Sequence, residues 1–221
     1  MQDSPFSSRF EELPATLPVF PLSGVLLLPR GKLPLNIFEP RYLAMTQDAL
    51  GAGRLIGMIQ PRRADDPAEA PELYEVGCAG RISQFAETDD GRFLITLTGV
   101  CRFAILGEIA SMRGYRRAQV DWGRFRDDLA PPPAVELDRD ALIERLKRYF
   151  AVQGIKADWN SIRATPDERL VTTLAMICPF EPGEKQGLLE CPTLADRSAM
   201  LAALLDMAAA GREQGDDHVR H

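Results

Sequence analysis

Residues 17–42 read LPVFPLSGVLLLPRGKLPLNIFEPRY. Apolar pieces of strand length alternate with proline and glycine, and the stretch ends on a proline that can open a helix. Val19–Leu22 and Val25–Leu28 read as two strands around Ser23-Gly24, and Leu33–Phe38 reads as a third. Pro21, Pro29 and Pro34 offer no amide donor to a ladder, so they belong at strand ends, edges or bulges. A helix follows from Pro40 through Tyr42 to Leu50, with Leu43, Thr46, Gln47 and Leu50 at helical spacing, and Gly51 and Gly53 stop it.

Downstream, the period of two continues. Leu55–Gln60 is a compact apolar strand, and the charged stretch Pro61–Pro71 reads as an exposed loop. Tyr74–Thr88 and Arg92–Leu106 flank Asp89-Asp90-Gly91, and Asp-Gly between apolar runs signals a hairpin. Phe93, Ile95 and Leu97 alternate with Leu94, Thr96 and Thr98, and Gly99 implies a bend or bulge. Tyr115–Trp122 is a further strand with Ala118, Val120 and Trp122 on one face. The prolines 131–133 mark a stiff linker over 127–136.

Beyond the linker the period becomes helical. Leu142, Leu146, Tyr149 and Phe150 form one stripe, with Asp138 and Asp140 near its start and Lys147 and Arg148 near its end, which suits the helix dipole. Thr165-Pro166-Asp167-Glu168 reads as a capping box, Pro182–Glu190 as a short helix, and Thr193 as the cap of a last helix ended by Gly211. Strands followed by helices make an α+β chain. The expected division is a lead-in over 1–14, a curled β domain over 15–126, the linker, a helical bundle over 137–210 and a flexible tail over 211–221.

Composition narrows the function classes. The 221 residues carry a net charge of -6 and 45% hydrophobic residues, which fits an ordinary soluble chain and argues against generic binding to nucleic acid or anionic membrane. No run approaches the roughly 18 apolar residues of a membrane span, and the first fifteen residues lack the order of a secretory signal, so the expected compartment is the cytoplasm. Cys78, Cys101, Cys178 and Cys191 form no C-x-x-C pair and read as buried reduced thiols.

Catalytic equipment is missing from the pattern. His218 and His221, the two histidines, lie at the end of the tail, which leaves no Ser-His-Asp or Cys-His set and no metal site. Gly24–Leu33 superficially follows a phosphate loop, but six residues separate Gly24 from Gly31, Leu33 stands where a hydroxyl should hold magnesium, and Pro34 follows where a helix should begin. Asp89-Asp90 and Asp127-Asp128 sit in turns, away from the fixed geometry of an acid–base pair. The pattern therefore predicts no enzyme activity, no cofactor and no metal.

Two binding candidates remain. Val25, Leu26, Leu27 and Leu28 could leave apolar surface for a peptide, and the competing reading is core. Arg113, Arg116, Arg117, Arg124 and Arg126 fall within fourteen positions among Tyr115, Trp122 and Phe125, a plausible RNA contact that Glu108, Asp121, Asp127 and Asp128 dilute. Glu39 and Arg41 flank Pro40 and read as structural: Glu39 can accept helix amides, and Arg41 can pair with a carboxylate of the barrel.

Several stretches, in order, are similar to the amino-terminal domain of Lon proteases. LPVFPL at 17–22 resembles its first strand and LNIFEPRY at 35–42 its strand-to-helix signature. VGCAGRI at 76–82 is similar to its VGT-x-A-x-I segment, with Cys78 at the Thr position. DGRFLITLTGV at 90–100, followed by Arg102-Phe103, looks like its hairpin with the terminal G-x-x-R-[FV] element. Glu184-Lys185-Gln186 with Leu188-Leu189-Glu190 matches its E-K-Q-x-L-L-E stretch. The signature positions are Pro18, Phe20, Pro21, Leu22, Phe38, Glu39, Pro40, Arg41, Tyr42, Gly77, Gly99 and Arg102.

The resemblance implies a PUA-like β pseudo-barrel followed by a helical bundle. It implies a recognition module for unfolded or partner polypeptides, acting alone or as an adaptor to a protease or chaperone, with RNA binding by a PUA-like barrel as the alternative. ATP hydrolysis and peptide cleavage belong to other domains of full Lon enzymes.

Overall fold

The structure is a computed structural model that describes residues 9–63, 70–110, 113–131 and 137–217. The proline pair 132–133, both histidines and most of the lead-in lie outside the described residues.

Six strands make one sheet: β1 (Thr16–Pro21), β2 (Lys32–Ile37), β3 (Leu55–Ile59), β4 (Val76–Glu87), β5 (Phe93–Ile109) and β6 (Arg116–Asp121). Their order is β2-β5-β4-β3-β1-β6, and β6 also pairs with β5. That second pairing closes β5, β4, β3, β1 and β6 into a barrel with no free edge. β1 and β3 run parallel, joined through β2 and then α1 (Pro40–Gly51), and the remaining pairs are antiparallel.

Both β4 and β5 are longer than the barrel needs. Their distal halves leave it and carry β2 as a third strand, so β2–β5–β4 projects as a three-stranded extension. The Asp89-Asp90-Gly91 hairpin closes its tip, with Gly91 at φ 79° and the Thr88 amide donating to the Arg92 carbonyl at 2.9 Å. Register shifts between Ala79 and Gly80 and between Ile82 and Gln84 bend β4 where barrel becomes extension.

The glycine at 99 has a steric reason. A Cβ there would lie 1.9 Å from the Leu28 carbonyl oxygen, because the 25–30 segment crosses β5 at that point. The Arg30 amide donates to the Gly99 carbonyl and the Gly99 amide to the Gly31 carbonyl, each at 2.8 Å.

The helical part comprises α2 (Arg139–Gln153), α3 (Trp159–Ala164), α4 (Asp167–Ile177), α5 (Pro182–Glu190) and α6 (Leu194–Asp217). The α2 stripe of Leu142, Leu146, Tyr149 and Phe150 is buried as its spacing predicts, and Asp138 caps it by accepting from the Ala141 amide. One continuous apolar cluster runs from Leu17 in β1 to Leu205 in α6, so barrel and helices share their core.

Four local expectations change. Val25–Leu28 forms no strand; it is an irregular crossing segment, and Leu26, Leu27 and Leu28 pack into the core. The buried face of α1 is Tyr42, Met45, Thr46 and Ala49, shifted from the expected Leu43–Leu50 stripe because Tyr42 turns in onto Phe20. The Thr165 capping box does not form: the Thr165 hydroxyl donates to the Ser161 carbonyl as the end of α3, a helix the pattern did not announce, and Asp167 pairs with Arg139. Gly211 does not end α6, which continues to Asp217.

Candidate functional site

Arg102 is the most constrained signature residue. Its side chain is buried in β5 and grips Asp128 through Nε and Nη2, at 2.9 and 2.8 Å. Its Nη1 donates to the carbonyls of Leu189 and Cys191, at 3.0 and 2.8 Å, where α5 ends. Burial opposes the charge, but the Asp128 bond and charge more than offset that and hold the guanidinium above its ordinary range. Lys185 and Gln186 fasten the middle of α5: Lys185 donates to the Gly24 carbonyl at 2.8 Å and Gln186 to the Val76 carbonyl at 3.0 Å. These polar groups form a seam between barrel and helices.

The four thiols are buried and unpaired with one another. Burial pushes Cys101 and Cys178 up to about 12, so they are protonated and unreactive near neutrality. Among the described residues no group of three or more His, Cys, Asp or Glu side chains could hold a metal ion.

Of the candidate peptide contacts, Val25 is half-buried, and Leu26, Leu27 and Leu28 are core. They are unavailable as a surface because the segment passes under α4 and across β5. Gly77 is a packing position too: a Cβ there would come within 2.6 Å of the Met58 carbonyl. Pro18, Phe20 and Leu22 belong to the core or its margin. The arginines are largely committed to carboxylates. Arg113 pairs with Asp48, Arg116 with Glu108, and Arg126 with Glu11, while Arg117 is half-buried on β6. Arg41 pairs with Glu39 at 2.9 Å instead of a barrel carboxylate, and the Glu39 side chain accepts no helix amide.

Two concavities stand out among the described residues. The larger, about 750 Å³ and open, is the outer face of the extension. Register places Pro34 beside Thr96 and Gln84, and Asn36 beside Leu94 and Ala86. Leu94 is 47% exposed at its middle, and Phe38, on the same side just past β2, is 61% exposed under the Arg92 guanidinium. Phe85 also lines this concavity and is exposed, with its ring edge-on to Phe93 at 5.1 Å. Leu94 was visible in the sequence as the apolar residue on the polar side of an alternating strand.

The smaller concavity, about 340 Å³, gathers signature residues Pro21, Arg41 and Tyr42 with Pro61, Pro71, Tyr115 and Arg116. The Tyr42 ring lies 4.1 Å from Phe20 and 4.7 Å below the Arg41 guanidinium. Burial raises the Tyr42 phenol, which therefore stays a protonated donor.

Comparison with known proteins places this geometry. The profile of the ATP-dependent protease La (LON) substrate-binding domain matches residues 16–207. The chain belongs to that family. The Lon protease of Flavobacterium johnsoniae is 26% identical over 197 residues, 85% of this chain and 23% of the protease. That of Anaeromyxobacter dehalogenans is 31% identical over 113 residues, 50% of this chain and 13% of the protease. The chain thus spans a quarter or less of these relatives, and the part matched is the substrate-binding domain. The Lon N-terminal domain protein of Xanthomonas campestris shares the fold at TM-score 0.57 and 23% identity, covering 85% of this chain and 97% of that one. The N-terminal domain of the Mycobacterium avium complex Lon protease does so at 0.58 and 18%, covering 88% and 98%. Among the described residues of this LON-family chain, no helix is long and apolar enough to cross a membrane.

Proposed function

We propose that this chain recognises polypeptide segments without catalysing their cleavage, and that the concave face of the β2–β5–β4 extension receives their apolar side chains. The observation that carries the reading is Leu94, a large apolar residue exposed on a concave sheet face of a LON substrate-binding domain, with Phe38 exposed just past the end of β2. Apolar groups there gain by contact with another apolar chain, and the flanking Asn36, Gln84 and Thr96 can meet a peptide backbone. In this reading a protease or chaperone supplies the chemistry, and the chain supplies the grip.

Binding of a fluorescent, reduced and carbamidomethylated α-lactalbumin, which stays unfolded, tests this by anisotropy. The full chain should bind it, and Phe38→Asp and Leu94→Asp should each weaken binding on the order of tenfold. Absence of binding, or full binding by both variants, sinks the assignment.

A further inference from the structure

The smaller cleft holds a donor that no described residue engages. Tyr42 is 7% exposed, yet among the described residues its hydroxyl has no hydrogen-bond partner, while its ring helps line the cleft. The hydroxyl is not sealed in the core but opens into the cleft, so it is free to donate to an acceptor that enters from outside the fold. The neighbouring phenol is different, since Tyr115 donates to Asp48 at 2.7 Å.

The cations around the cleft point the same way. Arg41 and Arg116 both line it, but their carboxylate partners Glu39 and Glu108 do not. Arg41 spends Nε and Nη2 on Glu39, leaving Nη1 uncommitted among the described residues. Arg116 spends Nε and Nη2 on Glu108 and one Nη1 hydrogen on the Pro71 carbonyl. A guanidinium has five donors, so each retains some for a ligand. The first turn of α1 adds the positive end of a twelve-residue helix at the same wall. Pro21, Pro61, Pro71 and the Tyr115 ring supply an apolar rim.

We propose that this cleft is a carboxylate-binding subsite, in which the Tyr42 hydroxyl and the Arg41 and Arg116 guanidiniums hold a carboxylate of a bound polypeptide and the proline rim packs against the adjoining residue. It rests on the polypeptide reading only for the kind of molecule that carries the carboxylate. The carboxylate can be a chain terminus or an acidic side chain, and the chemistry of recognition is shared.

Three labelled apolar hexapeptides separate the sources: one with a free terminal carboxylate, its amidated counterpart, and an amidated counterpart with one internal glutamate. The full chain should prefer the free acid to the plain amide on the order of tenfold, as expected for charge-assisted bonds. Equal binding of the internal-glutamate peptide assigns the subsite to carboxylates in general, and its failure beside a binding free acid assigns it to chain termini. Tyr42→Phe keeps the ring on Phe20 and removes only the hydroxyl, and Arg41→Gln alters a surface side chain, so both variants fold. Each should erase most of the preference.

Equal affinity for all three peptides, or an undiminished preference in both variants, overturns the subsite. So does a single-stranded oligonucleotide that binds through Arg41 and Tyr42 where no carboxylate peptide does. A carboxylate preference that survives while unfolded α-lactalbumin fails to bind supports the subsite and sinks the sheet-face reading alone.

Discussion

Arg102 and Leu94 share strand β5 and live in surroundings opposite to those their chemistry favours. The arginine is 6% exposed and the leucine 47%. The proximal half of β5 lies in the closed barrel under α5, where a buried cation finds Asp128 and two carbonyls at a helix end. The distal half lies in the open extension, where no helix among the described residues covers the outer face. One strand therefore serves two purposes: its barrel half holds the fold together, and its extension half faces outward with apolar surface unspent. If this division is right, polar substitutions should hurt most where the strand is charged and least where it is greasy.

The largest effect should follow Arg102→Ala. It strands Asp128 beside the seam and leaves the Leu189 and Cys191 carbonyls without their donor, so a loss of about 3–5 kcal/mol is expected in urea denaturation. Replacing Arg102 and Asp128 together by apolar residues of similar size should recover much of that loss, because no charge is then left unpaired. A single-variant cost under about 1 kcal/mol would show the seam to be dispensable and break the comparison.

Two glycines of the same strand provide the next contrast. In Gly99→Ala the new methyl meets the Leu28 carbonyl, and the crossing segment must shift and strain its two bonds to residue 99. An expected cost of about 2–3 kcal/mol follows from overpacking against backbone that cannot rotate away. Gly107 has nothing within 4 Å of a Cβ, so Gly107→Ala should change stability by less than about 0.5 kcal/mol. Equal effects at both positions would mean that the 25–30 segment is free to move, and with it Leu26–Leu28.

That segment also shows where the sequence stops being readable. The hairpin at 89–91, the α2 stripe and the Thr193 cap each depend on neighbours within one or two turns, so local pattern sufficed. Val25–Leu28 is apolar on every side, a pattern equally suited to a strand buried on both faces and to a chain crossing the core; only the long-range contact with Gly99 distinguishes them. Thr165-Pro166-Asp167-Glu168 failed for a related reason. Two helices meet there, and the hydroxyl that could cap the second is already bonded within the first. The cleft joins residues from 21, 41–42, 61, 71 and 115–116, and no spacing in the chain announces that they meet. Of its arginines, Arg116 was legible within a basic cluster, but Glu108 was not legible as its partner.

The smallest effect is the most informative about function. Phe38→Ser and Leu94→Ser remove apolar groups that touch little else in the chain, so each should move stability by no more than about 0.5 kcal/mol. Ile95, the next residue of β5, is 3% exposed on the inner face, and Ile95→Ala should cost about 2–5 kcal/mol by the same urea measurement. A side chain that contributes nothing to folding yet spends apolar area on water is free to serve a contact with another molecule. If Leu94→Ser instead costs as much as Ile95→Ala, the leucine is already covered by the chain itself, and the extension is packing and not a receptor for polypeptide.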